Sequence, residues 1–147
     1  MAGSSPASAT KLWYTGRMTP KAKGERSEGI VLAELLQRGY SVALPFGNNQ
    51  RYDMIVDDGK KLVKAQVKTG RVRKGVIQFN PFSVAGGKAK YRRGYQGQID
   101  VFLVYVPEIK KLYRVPIKKM CSSGYLRLEP PKNRQVKKIR WAKSFEF

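Results

Sequence analysis

Between Thr19 and Gly39 the apolar residues recur with the spacing of a helix. Glu28, Val31, Leu32, Leu35 and Leu36 fall at i, i+3, i+4, i+7 and i+8, so they share one face. Thr19 offers a side-chain oxygen to the first turn, Pro20 has the fixed φ that suits a first helical residue, and Gly39 ends the run. The pattern predicts a helix over residues 20–38 that packs on a sheet. Glu28 stands at the N-terminal end of the stripe. It is either an edge residue whose head reaches water or part of a site, because a buried carboxylate needs a cation or a hydrogen-bonding partner.

After Gly39 the period shortens. Runs rich in β-branched and aromatic residues predict strands at 40–46, 51–56, 61–69, 75–79, 99–106 and 112–117. The glycine-rich, basic and aromatic segment 83–97 is either a loop or a short helix reaching toward a ligand, and the last thirty residues form a closing strand or a helix. Residues 1–18, small, polar and free of acids, are expected to be a disordered leader, with 19–147 a single domain carrying a basic C-terminal segment.

Asp58-Gly59 is a two-residue turn signal between two strand-like runs. With those residues central, Asp57 lies opposite Lys60 and Asp53 opposite Lys64, and Asp53 shares its face with Leu62, Lys64, Gln66 and Lys68. Gln66 is then a diagonal neighbour of Asp53, roughly 7–8 Å away at the backbone, so both side chains reach one cation. An acid, a second oxygen ligand and a lysine on one face suit metal-assisted phosphodiester hydrolysis. A one-residue slip of register would scatter them to opposite faces. Asp57, Asp58, Lys60 and Lys61 read as ordinary solvated charges, and Asp100 either orients a basic side chain or is a solvated strand-end residue.

Composition narrows the chemistry. The 147 residues include 30 Lys and Arg against 10 Asp and Glu, a formal charge of +20, one Cys and no His. Without histidine, Ser-His-Asp triads, two-histidine zinc sites and histidine general bases are excluded. Any metal must take oxygen ligands, which favours Mg²⁺ or Mn²⁺. One Cys excludes a disulfide framework and fits a reducing compartment. No apolar run approaches the ~20 residues of a membrane span, and no secretory signal is visible. The expected location is the cytoplasm, beside the nucleoid, or another reducing compartment that holds DNA.

A charge excess of this size opposes compaction unless a polyanion offsets it, which makes nucleic acid the leading partner. An anionic membrane surface is the competitor, but no basic amphipathic helix with a strong apolar face supports it. Between Gly59 and Ile99 there are eleven Lys and Arg and no acid, and between Lys132 and Lys143 six more with none. Arg71, Arg73 and Lys74 follow the proposed lysine strand directly, while Lys88, Lys90, Arg92 and Arg93, with Tyr91 and Tyr95, are candidates to enter a groove. Gln78, Asn80 and Gln98 are candidate base readers.

The line KGERSEGIVLAELLQRGYSVALPFGNNQRYDMIVDDGKKLVKAQVKTGR resembles the PD-(D/E)XK nucleases, and specifically the group I intron-associated homing endonucleases of cyanobacterial type. More distantly it is similar to archaeal Holliday-junction resolvases. The resemblance extends over residues 21–117 and is concentrated in 24–71. It implies an α/β fold, a restriction-endonuclease-like mixed central sheet flanked by helices. It also implies Asp53 as central metal ligand, Gln66 as second ligand, Lys68 as catalytic lysine and Glu28 as the helical glutamate. Gln66 departs from the acid of the wider superfamily, although the intron-associated branch also uses glutamine there.

The implied activity is Mg²⁺-dependent hydrolysis of double-stranded DNA by a homo-oligomer, a dimer or tetramer that supplies one active site per strand. The alternatives are a junction-resolving or repair nuclease, an inactive nucleic-acid-binding module, and a ribosome-like RNA binder.

Overall fold

The computed structural model describes residues 17–85, 91–120 and 123–147. The expected helix forms as α1 (Pro20–Gln37), capped by Thr19, whose Oγ1 accepts the Ala22 N–H at 3.2 Å. Ser27, Val31 and Leu35 are buried, four residues apart along one line. Leu36, expected on the packed face, is 54% exposed, because that line is centred on Val31 and Leu35 and the next residue turns about 100° away.

Ten strands follow. β1 (Ser41–Ala43), β2 (Met54–Asp57), β3 (Leu62–Thr69), β8 (Val101–Val106) and β9 (Lys111–Pro116) form a five-stranded sheet in the order β1-β2-β3-β8-β9. β3 and β8 run parallel and the other pairs antiparallel, so the central sheet is mixed as expected. β4 (Arg71–Arg73), β5 (Val76–Phe79) and β10 (Gly124–Arg127) form an antiparallel sheet in the order β10-β5-β4, and β6 (Ser83–Ala85) pairs with β7 (Tyr91–Arg93) as a two-stranded ribbon. The segment 83–97 is therefore partly strand, neither a loop nor a helix throughout. The C-terminal part supplies both a strand, β10, and a short 3₁₀ turn at Ala142–Phe145.

The sheet divides two cores. On one face Val31 and Leu35 of α1 pack with Met54, Val56, Val63, Ala65, Val67, Val101 and Leu103. On the other, Phe102, Val104 and Val106 meet Ile77, Phe79, Leu126 and Tyr95. A single α-helix among the described residues covers the sheet, and the opposite face is covered by β4, β5 and β10 rather than by helices. The cause is visible locally: the residues after Thr69 alternate like strands, and Gly70 lets the chain leave the central sheet at close quarters. A Cβ on Gly70 would lie 2.9 Å from Val106 Cγ2 and 3.0 Å from Val104 Cγ1. No helix of the described residues is long and apolar enough to cross a membrane.

Candidate active site

The hairpin β2–β3 sets the site. Met54 pairs with Ala65 and Asp57 with Leu62, so the connection is a four-residue loop, with Asp58 N–H donating to Lys61 O at 3.2 Å. The expected two-residue turn is thus corrected. Asp58 Oδ1 accepts from the Lys60 and Lys61 N–H groups, and Gly59 takes φ +82°, which together stabilise the wider loop. The register moves by two residues, an even number, so every side chain stays on its expected face. Continuing it by one residue sets Asp53 opposite Gln66 rather than diagonal to it, with the Asp53 N–H donating to Ala65 O at 2.9 Å.

Asp53 Oδ2 accepts from Gln66 Nε2 at 2.6 Å and from the Val67 N–H at 2.7 Å. The Gln66 amide also lies 3.4 Å from Val67 O. Asp53 Oδ1 and Gln66 Oε1 take no part in these bonds. Burial pushes the Asp53 carboxyl above the usual range, an effect only partly offset by the Val67 N–H, the charge of Lys68 and the Gln66 amide. Glu28 is raised as well, first by burial, then by the negative charges of Asp53 and Glu25. Burial thus weighs more on Glu28 than either of these charges. The position of Glu28 is fixed by the adjacent Ser27, whose Oγ lies 2.7 Å from Thr69 Oγ1 and ties α1 to β3.

Lys68 is on the face of Asp53 and Gln66, and its Nζ donates to Phe82 O at 3.2 Å and to the Tyr95 hydroxyl at 3.1 Å. An ammonium has three donors, and these bonds use two. Tyr95, a candidate from sequence to enter a groove, is instead 4% exposed and packs edge-on to Phe102, under the site. Tyr91 is 61% exposed.

A carboxylate and an amide oxygen are hard donors, of the kind that suits a small divalent cation such as Mg²⁺. Among the described residues no group of three or more His, Cys, Asp or Glu forms a metal cluster. Any coordination would therefore have to draw on neutral oxygens, such as that of the Gln66 amide, as well.

A cleft of about 1030 Å³ opens beside this constellation, reaching it through Thr69 and Phe82, which flank Lys68 in sequence and in space. Asp53, Gln66 and Lys68 do not themselves line it. Lys23, Arg26, Arg71, Arg92 and Lys110 do, with Glu108 the one acid among its lining residues. Arg71 and Gln78 are cross-strand partners at its wall, and Asn80 lies nearby. Arg73 is exposed at the end of β4, Lys74 follows it in the turn with φ +48°, and Arg93 is exposed outside the cleft. Lys88 and Lys90 lie outside the described residues.

Gln98, a candidate base reader, has its Oε1 engaged by Arg51 Nε at 2.7 Å. Asp100 is exposed and spends one oxygen on the Lys64 N–H at 2.8 Å, closing the start of the parallel pair. Sequence reasoning missed Lys23 and Arg26, which lie one helical turn apart. It also missed Arg51, whose partners Ser83, Gly94 and Gln98 all lie more than thirty residues away in sequence.

The sequence profile of PD-(D/E)XK endonucleases matches residues 18–147. Among solved structures, the fold is similar to that of a bacterial homing endonuclease, I-Ssp6803I, with a TM-score of 0.69 and 21% identity, over 87% of this chain and 88% of that one. No match is found among curated protein sequences.

Proposed function

The chain belongs to the PD-(D/E)XK endonuclease family, and from that premise we propose that it is a Mg²⁺-dependent endonuclease of double-stranded DNA, of the homing type. The observation that carries this reading is the Asp53–Gln66 pair, with Lys68 on the same face beside a cleft lined by five cations. The fold shared with a homing endonuclease supports it.

Asp53, Gln66 and Glu28 would hold the ion, with Mn²⁺ as a substitute. When bound, the ion polarises the scissile phosphate and acidifies a water molecule. Asp53 keeps its orientation through the Val67 N–H and the Gln66 amide. Lys68, fixed by Phe82 O and Tyr95, has one N–H left to orient the attacking water or to meet charge developing on the phosphate. Arg71, Arg73, Lys74, Arg92 and Arg93 contact the backbone and position the duplex. Cutting both strands requires two such sites, hence a dimer or tetramer, working in a reducing compartment that holds DNA.

The test uses supercoiled plasmid, a four-way junction and single-stranded RNA, each with Mg²⁺ or EDTA, beside Asp53→Ala and Lys68→Ala. Metal-dependent cutting of plasmid, lost in both variants, is expected. Preference for the junction moves the reading to a resolving nuclease, and binding without cutting leaves only a nucleic-acid-binding module.

A further inference from the structure

Arg51 is the most heavily engaged side chain near the site. Its Nε donates to Gln98 Oε1 at 2.7 Å, one terminal nitrogen to Ser83 Oγ at 2.7 Å, and the other to Gly94 O at 2.8 Å and Arg93 O at 3.5 Å. Its guanidinium also lies over the Tyr95 ring, 4.2 Å from the centroid. A guanidinium has five N–H donors, and these bonds occupy four. Every acceptor is neutral, so the charge is held in place without being cancelled. A side chain this fully committed cannot also form the two-pronged contact with a phosphate that arginine usually provides.

What Arg51 holds is the base of the β6–β7 ribbon. Ser83 opens β6, Arg93 closes β7, and Gly94 and Tyr95 lead the chain back to the sheet. Phe82, the residue before the ribbon, and Tyr95 are also the two partners of Lys68. The ribbon and the lysine therefore share one footing. On a two-stranded ribbon consecutive residues face opposite sides. Arg92 accordingly lines the cleft while Arg93 is exposed outside it. A ribbon with a cation on each face fits a major groove, which admits a two-stranded β-ribbon and has phosphates along both walls.

We propose that Arg51 is a positioning residue that fastens the β6–β7 ribbon to the active-site sheet, so that Arg92 and Arg93 grip the DNA backbone together, in register with Lys68. This rests on the nuclease reading above for its substrate. Arg51 itself touches no phosphate.

The experiment measures the affinity of the full chain for a labelled double-stranded oligonucleotide of arbitrary sequence, in EDTA, over a range of KCl concentrations. Each phosphate contact contributes about 0.9 to the slope of log K against log[salt]. The double variant R92A/R93A is expected to reduce the slope by about 1.8. R51M should match that reduction although it removes one charge, and the triple variant should fall no further, since the same two contacts are lost by either route.

A reduction of about 0.9 in R51M that adds to the double variant would make Arg51 a phosphate contact and overturn the proposal. An unchanged slope in R51M would overturn it too, as would an unchanged slope in R92A/R93A. In the last case the ribbon is not a DNA contact, while plasmid cleavage still decides the nuclease reading separately. Circular dichroism checks folding. S83A, which removes a single Arg51 acceptor, stands in if R51M does not fold. A reduced slope in S83A that disappears in the R92A/R93A background supports the proposal, and an unchanged slope overturns it.

Discussion

Replacing Gln66 by glutamate tests whether positions 53 and 66 converge on one ion. In the native chain the Gln66 amide donates to Asp53 Oδ2 at 2.6 Å, a charge-assisted bond of about 1.5–3 kcal/mol. In Gln66→Glu that donor becomes a second carboxylate. Two unit charges about 4 Å apart repel by about 4 kcal/mol at an effective dielectric constant of 20. The alternative is to protonate one of them, which at pH 7 costs about 3.7 kcal/mol from a glutamate pKa of about 4.3. The two routes cost nearly the same. Protonation restores a donor to Asp53, so it sets the bound, and solvent screening at these half-buried groups lowers it further. The metal-free variant should be about 2–4 kcal/mol less stable than the parent.

For a domain of this size that corresponds to a melting temperature lower by roughly 5–12 °C in EDTA at neutral pH. The deficit should shrink on acidification, as the pair takes up its shared proton. Saturating Ca²⁺ or Mg²⁺ should recover more stability in the variant than in the parent, because binding at a hundred times Kd contributes about 2.7 kcal/mol and the variant offers one more charged ligand. The assay is differential scanning fluorimetry with and without the divalent ion. If Gln66→Glu melts with the parent in EDTA and gains nothing extra from metal, the two side chains do not share a site.

Two other outcomes follow from the geometry. Asp53 and Glu28 are both raised by burial. For an acid whose pKa rises on folding, the cost of its charge is absent below the unfolded value and fully present above the folded one. In EDTA the parent should therefore gain stability relative to Asp53→Asn as the pH falls from neutral through the raised values, while metal affinity, followed by calorimetry, weakens over the same range. Gly70→Ala drives a Cβ to within 2.9 Å of the stiff Val106 side chain and should cost about 1–3 kcal/mol, read from urea unfolding.

The helix was legible because its signals are local: a cap, a proline at the first position and a terminating glycine. The facing of Asp53, Gln66 and Lys68 was legible for a different reason. Alternation has a period of two, so a loop two residues wider than expected changed the partners of each residue but not its side of the sheet. The second sheet was harder to read. Strands at 75–79 were visible, but their assembly with Gly124–Arg127 depends on pairing across 45 residues or more, such as Phe79 with Gly124. Arg51 and Gln98 carried no motif. Their roles arise from hydrogen bonds between segments 47 residues apart, which no local pattern encodes.

The parts of the site also differ in how far the chain must travel to make them. Asp53 and Gln66 are 13 residues apart and meet across a single hairpin, whereas Tyr95 joins Lys68 from 27 residues further on, after the whole of β4 to β7. Short loops close fast and at little entropic cost. During synthesis the Asp53–Gln66 pair is thus expected to come together early and the lysine's support late, so a half-made chain would hold this pair without the geometry to cleave.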